Sequence, residues 1–477
     1  MLELLPNLNE NEKIPLYIQL YNYIKNEILS GNIPAESKLP SIRGLAKDLK
    51  LSKNTIESAY EQLIAEGYVK SKNRSGLYVE QIENEFKNLA NNSFSSFKEN
   101  LDGNLGKKIK YDFNSGQIDL SSFPYNQFRK ILGRCMDEYS KDLLLYGDRK
   151  GDYGLRYEIS KYIHHSRGVT CSPQQIIISS GTQQSLNLLC QILSNIHLCV
   201  AFEDPSYLGA KAVFKHFNFN IAPIKLEADG IDIKCLNESK SKIVYVTPSH
   251  QYPYGMVMPI SKRVKLLHWA KINDGIIIED DYDGEFRYKG KPIPSLQGLD
   301  ETGRVIYLGS FSKSLMPSLR ISYLVLPEMF LNIYEQHYMI YEQPVPRLLQ
   351  KSLEIFMKEG FWEKHLRKSK VLYKKKQELL ISSITNYLGK NVTIIGADSG
   401  LHLLLKINTQ MKENELIETA LNFGVRVNST SVNWINPPLN SLPVIFIGFA
   451  GIKADEIQKA IELLSKCWFP KTSSKFL

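Results

Sequence analysis

From Tyr111 onward, short β-branched runs alternate with stretches of helical periodicity, and no other feature restricts the fold as strongly. The runs include Gln175–Ser179, His197–Ala201, Lys242–Val246, Gly275–Glu279 and Val305–Leu308. A strand that is apolar on both faces must be covered on both, the condition of a mostly parallel sheet layered between helices. An α/β fold follows. At 477 residues the chain exceeds one ordinary domain. Its 43% hydrophobic and 23% charged residues exclude wholesale disorder and a membrane bundle. The longest nearly apolar stretch, Val444–Ile452, falls far short of the roughly 20 residues that span a bilayer. The N-terminal residues Met1–Pro6 lack the basic flank and long apolar core of a signal peptide. The six cysteines are scattered without a Cys-x-x-Cys pair, so reduced thiols and a cytoplasmic location are expected.

In such sheets ligands gather where strands end. Five strand ends here carry polar residues. Ser179-Ser-Gly181-Thr182-Gln183 opens a helical run and can cradle a phosphate. Tyr207 closes Glu203-Asp-Pro-Ser-Tyr207, and Thr247–Gly255 is a rigid loop. Glu279-Asp280-Asp281-Tyr282-Asp283 sets carboxylates and a phenol after a buried strand; no histidine joins them, so no metal is expected. Ser310-Phe-Ser312-Lys313 follows the last strand, with Arg320 seven residues on. One cofactor accounts for all five. Pyridoxal phosphate needs a lysine for its Schiff base and an acid that keeps its pyridine nitrogen protonated. It also needs a donor to its phenolic oxygen, a ring to stack on and a phosphate cup. The candidates are, in that order, Lys313, Asp280 (preferred to Asp281), Tyr282 and Tyr207, with Gly181, Thr182, Ser310, Ser312 and Arg320 as the cup. Reading Ser310-Phe-Ser-Lys313 as a Ser-x-x-Lys nucleophile fails for want of Ser-Asp-Asn and Lys-Thr-Gly partners.

The net charge of +9 invites a nucleic-acid reading, yet residues 1–80 hold ten basic and ten acidic side chains. Position must carry the argument. Tyr17, Leu20, Tyr21, Ile24 and Ile28 form one helical stripe, with Gly31 placed to end it. Ser41 is placed to cap a second helix and Ser52 a third, whose inward face is Ile56, Ala59, Tyr60, Leu63 and Ile64. Tyr68–Val79 reads as a hairpin turning at Asn73-Arg74-Ser75-Gly76. Three helices and a hairpin make a winged helix-turn-helix. Lys53, Asn54 and Thr55 open the third helix, in the place of a recognition helix, flanked by Arg43, Lys47, Lys70, Lys72 and Arg74 for phosphates. Residues 81–110 read as a linker spanning about 30 Å as a flexible coil.

Leu39-Pro-Ser-Ile-Arg-Gly-Leu-Ala46, Leu51-Ser-Lys-Asn-Thr55, Leu63-Ile-Ala-Glu-Gly67 and Gly76-Leu-Tyr-Val79 resemble the DNA-binding domain of GntR-type regulators. That resemblance implies DNA contacts from Arg43, Ser52, Lys53, Asn54, Thr55 and Arg74, with Gly76 shaping the wing. Tyr146-Gly-Asp-Arg-Lys-Gly151, Ser180-Gly-Thr-Gln183, Ser310-Phe-Ser-Lys-Ser314 and Leu319-Arg-Ile-Ser-Tyr323 resemble class I/II aminotransferases of fold type I. The joint arrangement resembles MocR/GabR-type transcription regulators. It implies a winged helix over 1–80, an aminotransferase-like domain over 111–477 with a C-terminal subdomain from about 345, and a domain-swapped homodimer. A pyridoxal-phosphate-dependent regulator of double-stranded DNA is expected, answering to an amine, an amino acid or the cofactor itself. The alternative is a metabolic aminotransferase with an accessory module. Relatives of that type read Gly-Phe-Ala-Arg where this chain has Gly448-Phe449-Ala450-Gly451, so the usual carboxylate clamp is missing and Arg426 is the replacement to consider.

Overall fold

Ile, Val and Leu dominate the strands of the larger part of the chain, and burial on both faces draws them into one eight-stranded sheet. The computed structural model describes residues 4, 6, 8, 9, 14–72, 75–81, 109–290, 293–438 and 441–470. Across the sheet the strands run 176–179, 322–325, 305–310, 276–281, 243–246, 199–204, 220–227 and 230–231. The five from 305–310 to 220–227 are mutually parallel; 322–325 and 230–231 run against their neighbours. Alternate residues serve opposite faces. Ile306 and Leu308 join Leu186, Leu189, Phe214 and Phe330 on one side. Tyr307 meets Ile159 and Phe356 on the other, where Val305 packs with Leu266 and Trp269. The helices supplying these residues cover both faces, as the apolar runs require.

One strand is longer than its apolar run. Ile276–Asp281 carries its pairing through Glu279, Asp280 and Asp281, so the carboxylates expected after the strand are part of it. A second, antiparallel sheet (392–395, 402–407, 444–448, 428–429) packs on helices Phe361–Tyr387 and Ala454–Trp468. Helix Arg347–Lys358 buries Leu353 and Phe356 under the large sheet, while the smaller core joins Tyr111, Phe113 and Phe286 to residues from Tyr373 onward. All six cysteines are free. Among the described residues no helix is long and apolar enough to cross a membrane.

The chain divides into two units, Met1–Leu105 and Gly106–Leu477. In the first, helices α1 (Leu16–Leu29), α2 (Ile42–Leu49) and α3 (Lys53–Ala65) precede the hairpin strands β1 (Val69–Lys72) and β2 (Gly76–Val79). Ser41 Oγ accepts from Gly44 N and Ser52 Oγ from Thr55 N, both at 3.1 Å, satisfying first-turn amides of α2 and α3. Leu20, Ile24, Leu45, Ile56, Leu63 and Val79 close the core. Tyr17 and Ile64, expected to face inward, lie exposed. Arg74 and most of the 81–110 linker fall outside the described residues. Leu63→Ala is expected to destabilise this unit by about 2–5 kcal/mol, and Ile64→Ala by less than about 0.5 kcal/mol. Urea unfolding, followed by hydrogen exchange of the α3 amides, checks the contrast.

Candidate cofactor site and nucleic-acid interface

The pleat of the Ile276–Asp281 strand turns neighbouring carboxylates to opposite faces. Asp281 receives two hydrogen bonds from Arg167, at 2.6 and 2.8 Å, and one from Tyr307 Oη at 2.7 Å. Asp280 instead lines a cavity of about 350 Å³ beyond the carboxyl ends of the parallel strands. Its Oδ2 accepts from Tyr245 Oη at 2.5 Å, while the buried Oδ1 has no partner. Burial, opposed by the Tyr245 bond and reinforced by Asp281 and Asp283, pushes this carboxyl up to about 7.

Lys313 reaches the same cavity from the loop after strand Val305–Ser310, whose Leu308 pairs with Asp280. Its amine donates to Ser115 O. The lysine is half-buried by exposure because the cavity is open, yet protein surrounds it. That enclosure lowers its pKa, and Asp283 opposes the shift. Thr182, Gln183, Ser310, Ser312 and Arg320 line the same cavity. Thr182 opens helix Thr182–Ser194, so unpaired first-turn amides face an incoming anion. Gly181, at φ +102°, does not line the cavity itself; a Cβ there would lie 1.9 Å from Arg320 Nη2, so glycine makes room for the guanidinium. Tyr207 adds an aromatic wall.

These residues fit pyridoxal phosphate. A buried carboxylate oxygen without a partner matches a protonated ring nitrogen, a lysine with lowered pKa matches an aldehyde, and the Thr182–Arg320 cluster matches a phosphate. The structure thus gathers eight of the nine expected cofactor residues on one cavity, with Gly181 directly behind Arg320. Sequence reasoning missed Tyr245, whose position inside a strand reads as core, and passed over Gln183, His402 and Phe446. Arg426 is paired with Asp112 at 3.2 Å and does not line the cavity. At Gly451, a Cβ would lie 2.5 Å from Gln117 Cβ, so the glutamine occupies the adjoining space.

On the winged helix, Arg43, Lys47, Lys53 and Asn54 are exposed. Ser52 and Thr55 hydroxyls bond each other at 2.8 Å at the start of α3. Gly76 sits at φ +113° in the wing, with Lys38 against it. Lys70, expected to be free for phosphate, instead bonds Glu36 and Glu80, each at 2.7 Å, and Lys72 bonds the other Glu36 oxygen at 2.7 Å. Those two lysines hold the Glu36 carboxyl down to about 2. Among the described residues, the two wing lysines Lys70 and Lys72 are thus matched by carboxylates.

Both units match known families. The pattern described as Aminotransferase class I and II covers residues 108–463, and that of the Bacterial regulatory proteins, gntR family, covers residues 16–79. Fold and site therefore define a transcription regulator that joins a DNA-binding winged helix to an aminotransferase-type domain. Within that class the chain belongs to the MocR/GabR-type regulators. It is 41% identical to the HTH-type transcriptional regulator YdeL of Bacillus subtilis, over 98% of this chain and 100% of that protein. It is 31% identical to the probable rhizopine catabolism regulatory protein MocR of Rhizobium meliloti, over 98% and 96%. The pyridoxine biosynthesis regulator PdxR of Corynebacterium glutamicum is 26% identical over 90% of each chain. Among solved structures, Pyrococcus horikoshii kynurenine aminotransferase, in complex with PMP, superposes with a TM-score of 0.67 at 26% identity, covering 76% of this chain and 91% of its own.

Asp280 has a stability consequence whose sign is fixed. Its folded pKa of about 7 lies above the ordinary carboxylate value. A raised acid favours the fold below the unfolded pKa of roughly 3.9, and that contribution is lost as pH climbs through the folded pKa. The Tm of apo Asp280→Asn is therefore expected to gain on apo wild type between pH 4 and about 7, while cofactor retention weakens. Thermal melts across that range, with a Tm difference independent of pH, would refute the assignment.

Proposed function

We propose that this regulator carries its pyridoxal phosphate on Lys313 and that DNA binding answers to an amine, an amino acid or the cofactor itself. The observation that carries this reading is Asp280 Oδ1, a buried oxygen lacking a partner in the cavity that also holds Lys313 and the anion cup. When bound, the cofactor supplies an aldehyde that captures amines and a ring that withdraws electrons. Asp280 holds the proton on the ring nitrogen. Burial lowers the pKa of Lys313, which favours its nucleophilic amine form, and Asp283 opposes that shift by stabilising the ammonium. Tyr282 donates to the phenolic oxygen and Tyr207 packs on the ring. Gly181, Thr182, Ser310, Ser312 and Arg320 retain the phosphate.

Among the described residues, Lys313 and Arg320 are the only Lys or Arg side chains lining the cavity, and the cofactor engages both. No arginine remains there for an effector carboxylate, so transamination of simple amino acids is residual and the protein acts chiefly as a switch. Exposed Leu144 (85%), Tyr146 (86%) and Ile340 (80%) support a homodimer in which a second copy covers them. The boundaries 1–80, 81–110 and 111–477 stand as the functional division, with the winged helix exchanged between subunits in the cytoplasm.

Reconstituted wild type is expected to be yellow, and Lys313→Ala colourless after dialysis. Titrating the holo-protein with amines and amino acids then separates switch from enzyme. Fast loss of colour with catalytic turnover on adding a keto acid would favour the aminotransferase reading.

On DNA, Lys53→Ala and Asn54→Ala are expected to relax base preference at one position each. Glu36→Gln releases Lys72 for phosphates while Lys70 keeps Glu80, so binding should tighten at low salt and the logarithmic salt slope should steepen by up to about one. Binding isotherms at several salt concentrations measure both effects, and an unchanged Glu36→Gln slope would show that the wing does not touch the backbone.

A further inference from the structure

Beside the cofactor residues lies a buried cluster of two histidines and an aspartate. His250 comes from the loop after strand Ile243–Val246, Asp283 follows strand Ile276–Asp281, and His402 opens strand His402–Ile407 of the smaller sheet. All three are buried, and their ligating atoms lie within 4.8 Å of one another. His250 Nδ1 lies 2.9 and 3.0 Å from the two Asp283 oxygens and 2.9 Å from Tyr282 Oη. Its Nε2 is buried with no hydrogen-bond partner.

This asymmetry fixes the tautomer. A carboxylate only accepts, so the ring hydrogen belongs on Nδ1, where three oxygens surround it, and not on Nε2, where it would meet none. Tyr282 Oη, facing the same Nδ1–H, can then only accept from it. The hydroxyl's own hydrogen must point elsewhere, and Tyr282 lines the cavity. His402 does not compete: its Nε2–H donates to Pro253 O at 2.9 Å, and burial, with His250 adding to it, holds its pKa down to about 3. Glycine makes the approach possible. At Gly400, φ +77°, a Cβ would stand 2.1 Å from His250 Cε1 and 2.7 Å from Asp283 Oδ2.

We propose that His250, held in its Nδ1–H tautomer by Asp283, is a positioning residue that forces the Tyr282 hydroxyl to donate into the cavity. The proposal rests on the cofactor reading, because the acceptor awaiting that hydrogen is the cofactor's phenolic oxygen. Asp280, Asp281, Asp283 and Tyr252 all act on the Tyr282 hydroxyl, and Lys313 and His402 face the pair from the cavity side. Without the histidine, the hydroxyl is free to turn toward these carboxylates and abandon the cavity.

The test uses full-length protein reconstituted with pyridoxal phosphate and reads the visible absorbance against pH. A hydrogen donated to the phenolic oxygen stabilises the deprotonated, anionic form, so it holds the titration midpoint down. Tyr282→Phe should raise the midpoint by about 1–2 pH units, the size of one hydrogen bond to a charged oxygen. His250→Leu should raise it comparably, and should add nothing in the Tyr282→Phe background. His250→Gln, whose amide can donate in place of Nδ1–H, should restore the wild-type midpoint. An unmoved midpoint in His250→Leu, or equal shifts with and without Tyr282→Phe, would overturn the proposal. Should His250→Leu fail to fold, His250→Ala replaces it, since it too removes the Nδ1–H that Tyr282 Oη accepts. Its shift must differ between the two Tyr282 backgrounds, and equal shifts refute the role. A colourless wild type would overturn the cofactor reading along with this one, whereas a yellow protein with an unmoved midpoint overturns this one alone.

Discussion

Everything in the large unit turns on one pair of adjacent carboxylates kept apart by the pleat of a strand. On one face, Asp281 is matched by Arg167 and Tyr307 and behaves as a structural ion pair. On the other, Asp280 keeps a single donor, Tyr245, and an oxygen in reserve. Had both side chains shared one cavity, mutual repulsion would have neutralised one of them. Parallel pairing then does the remaining placement. Leu308 stands beside Asp280 in register, so the chain leaving that strand carries Ser310, Ser312 and Lys313 to the cavity that Asp280 already faces.

The second subdomain completes this site and does not merely flank it. Leu401, His402 and Phe446 line the cavity from the smaller sheet, and His402 stacks on Phe446 with ring centroids 4.3 Å apart. The contact between the lobes is close enough to forbid side chains. At Gly255 a Cβ would meet Gly396 Cα at 2.7 Å, and Gly400 admits His250 and Asp283. Backbone packing and site geometry are therefore one constraint, and a shift of the segment around Gly396–Gly400 is felt at His250 before it reaches the cavity.

How much of this was legible in the sequence depended on range. Apolar runs with polar ends announced the parallel strands, and Gly181-Thr182 announced a helix start suited to an anion, because both signals are local. Acidic residues read as the end of a strand, yet Asp281 stays inside one because Arg167, 114 positions earlier, neutralises it. Lys70 and Lys72 read as free charge because Glu36, 34 and 36 positions earlier, is invisible to a local window. Tyr245 looked like core for a good reason: its ring stacks on Phe202 at 4.9 Å, and only its hydroxyl reaches Asp280. His250 and Asp283 carry no signature at all, since their partnership spans 33 residues and exists only once two strand ends are side by side.

The cavity wall opposite the cofactor residues has a composition of its own. Tyr252 is its hub, with ring centroids 5.9 Å from Tyr207, 5.7 Å from Tyr282, 5.8 Å from His402 and 5.9 Å from Phe446. Burial holds the histidine there neutral, and Asp283 lines the same cavity. Gln117 crowds the position of Gly451, and Arg426 is paired with Asp112 outside the lining. An anionic ligand would lose hydration against such a wall and find no compensating cation. A flat apolar group gains from burial against these rings, and an ammonium gains from their faces and from the aspartate. Such a wall disfavours a carboxylate and accommodates a flat apolar group or an ammonium.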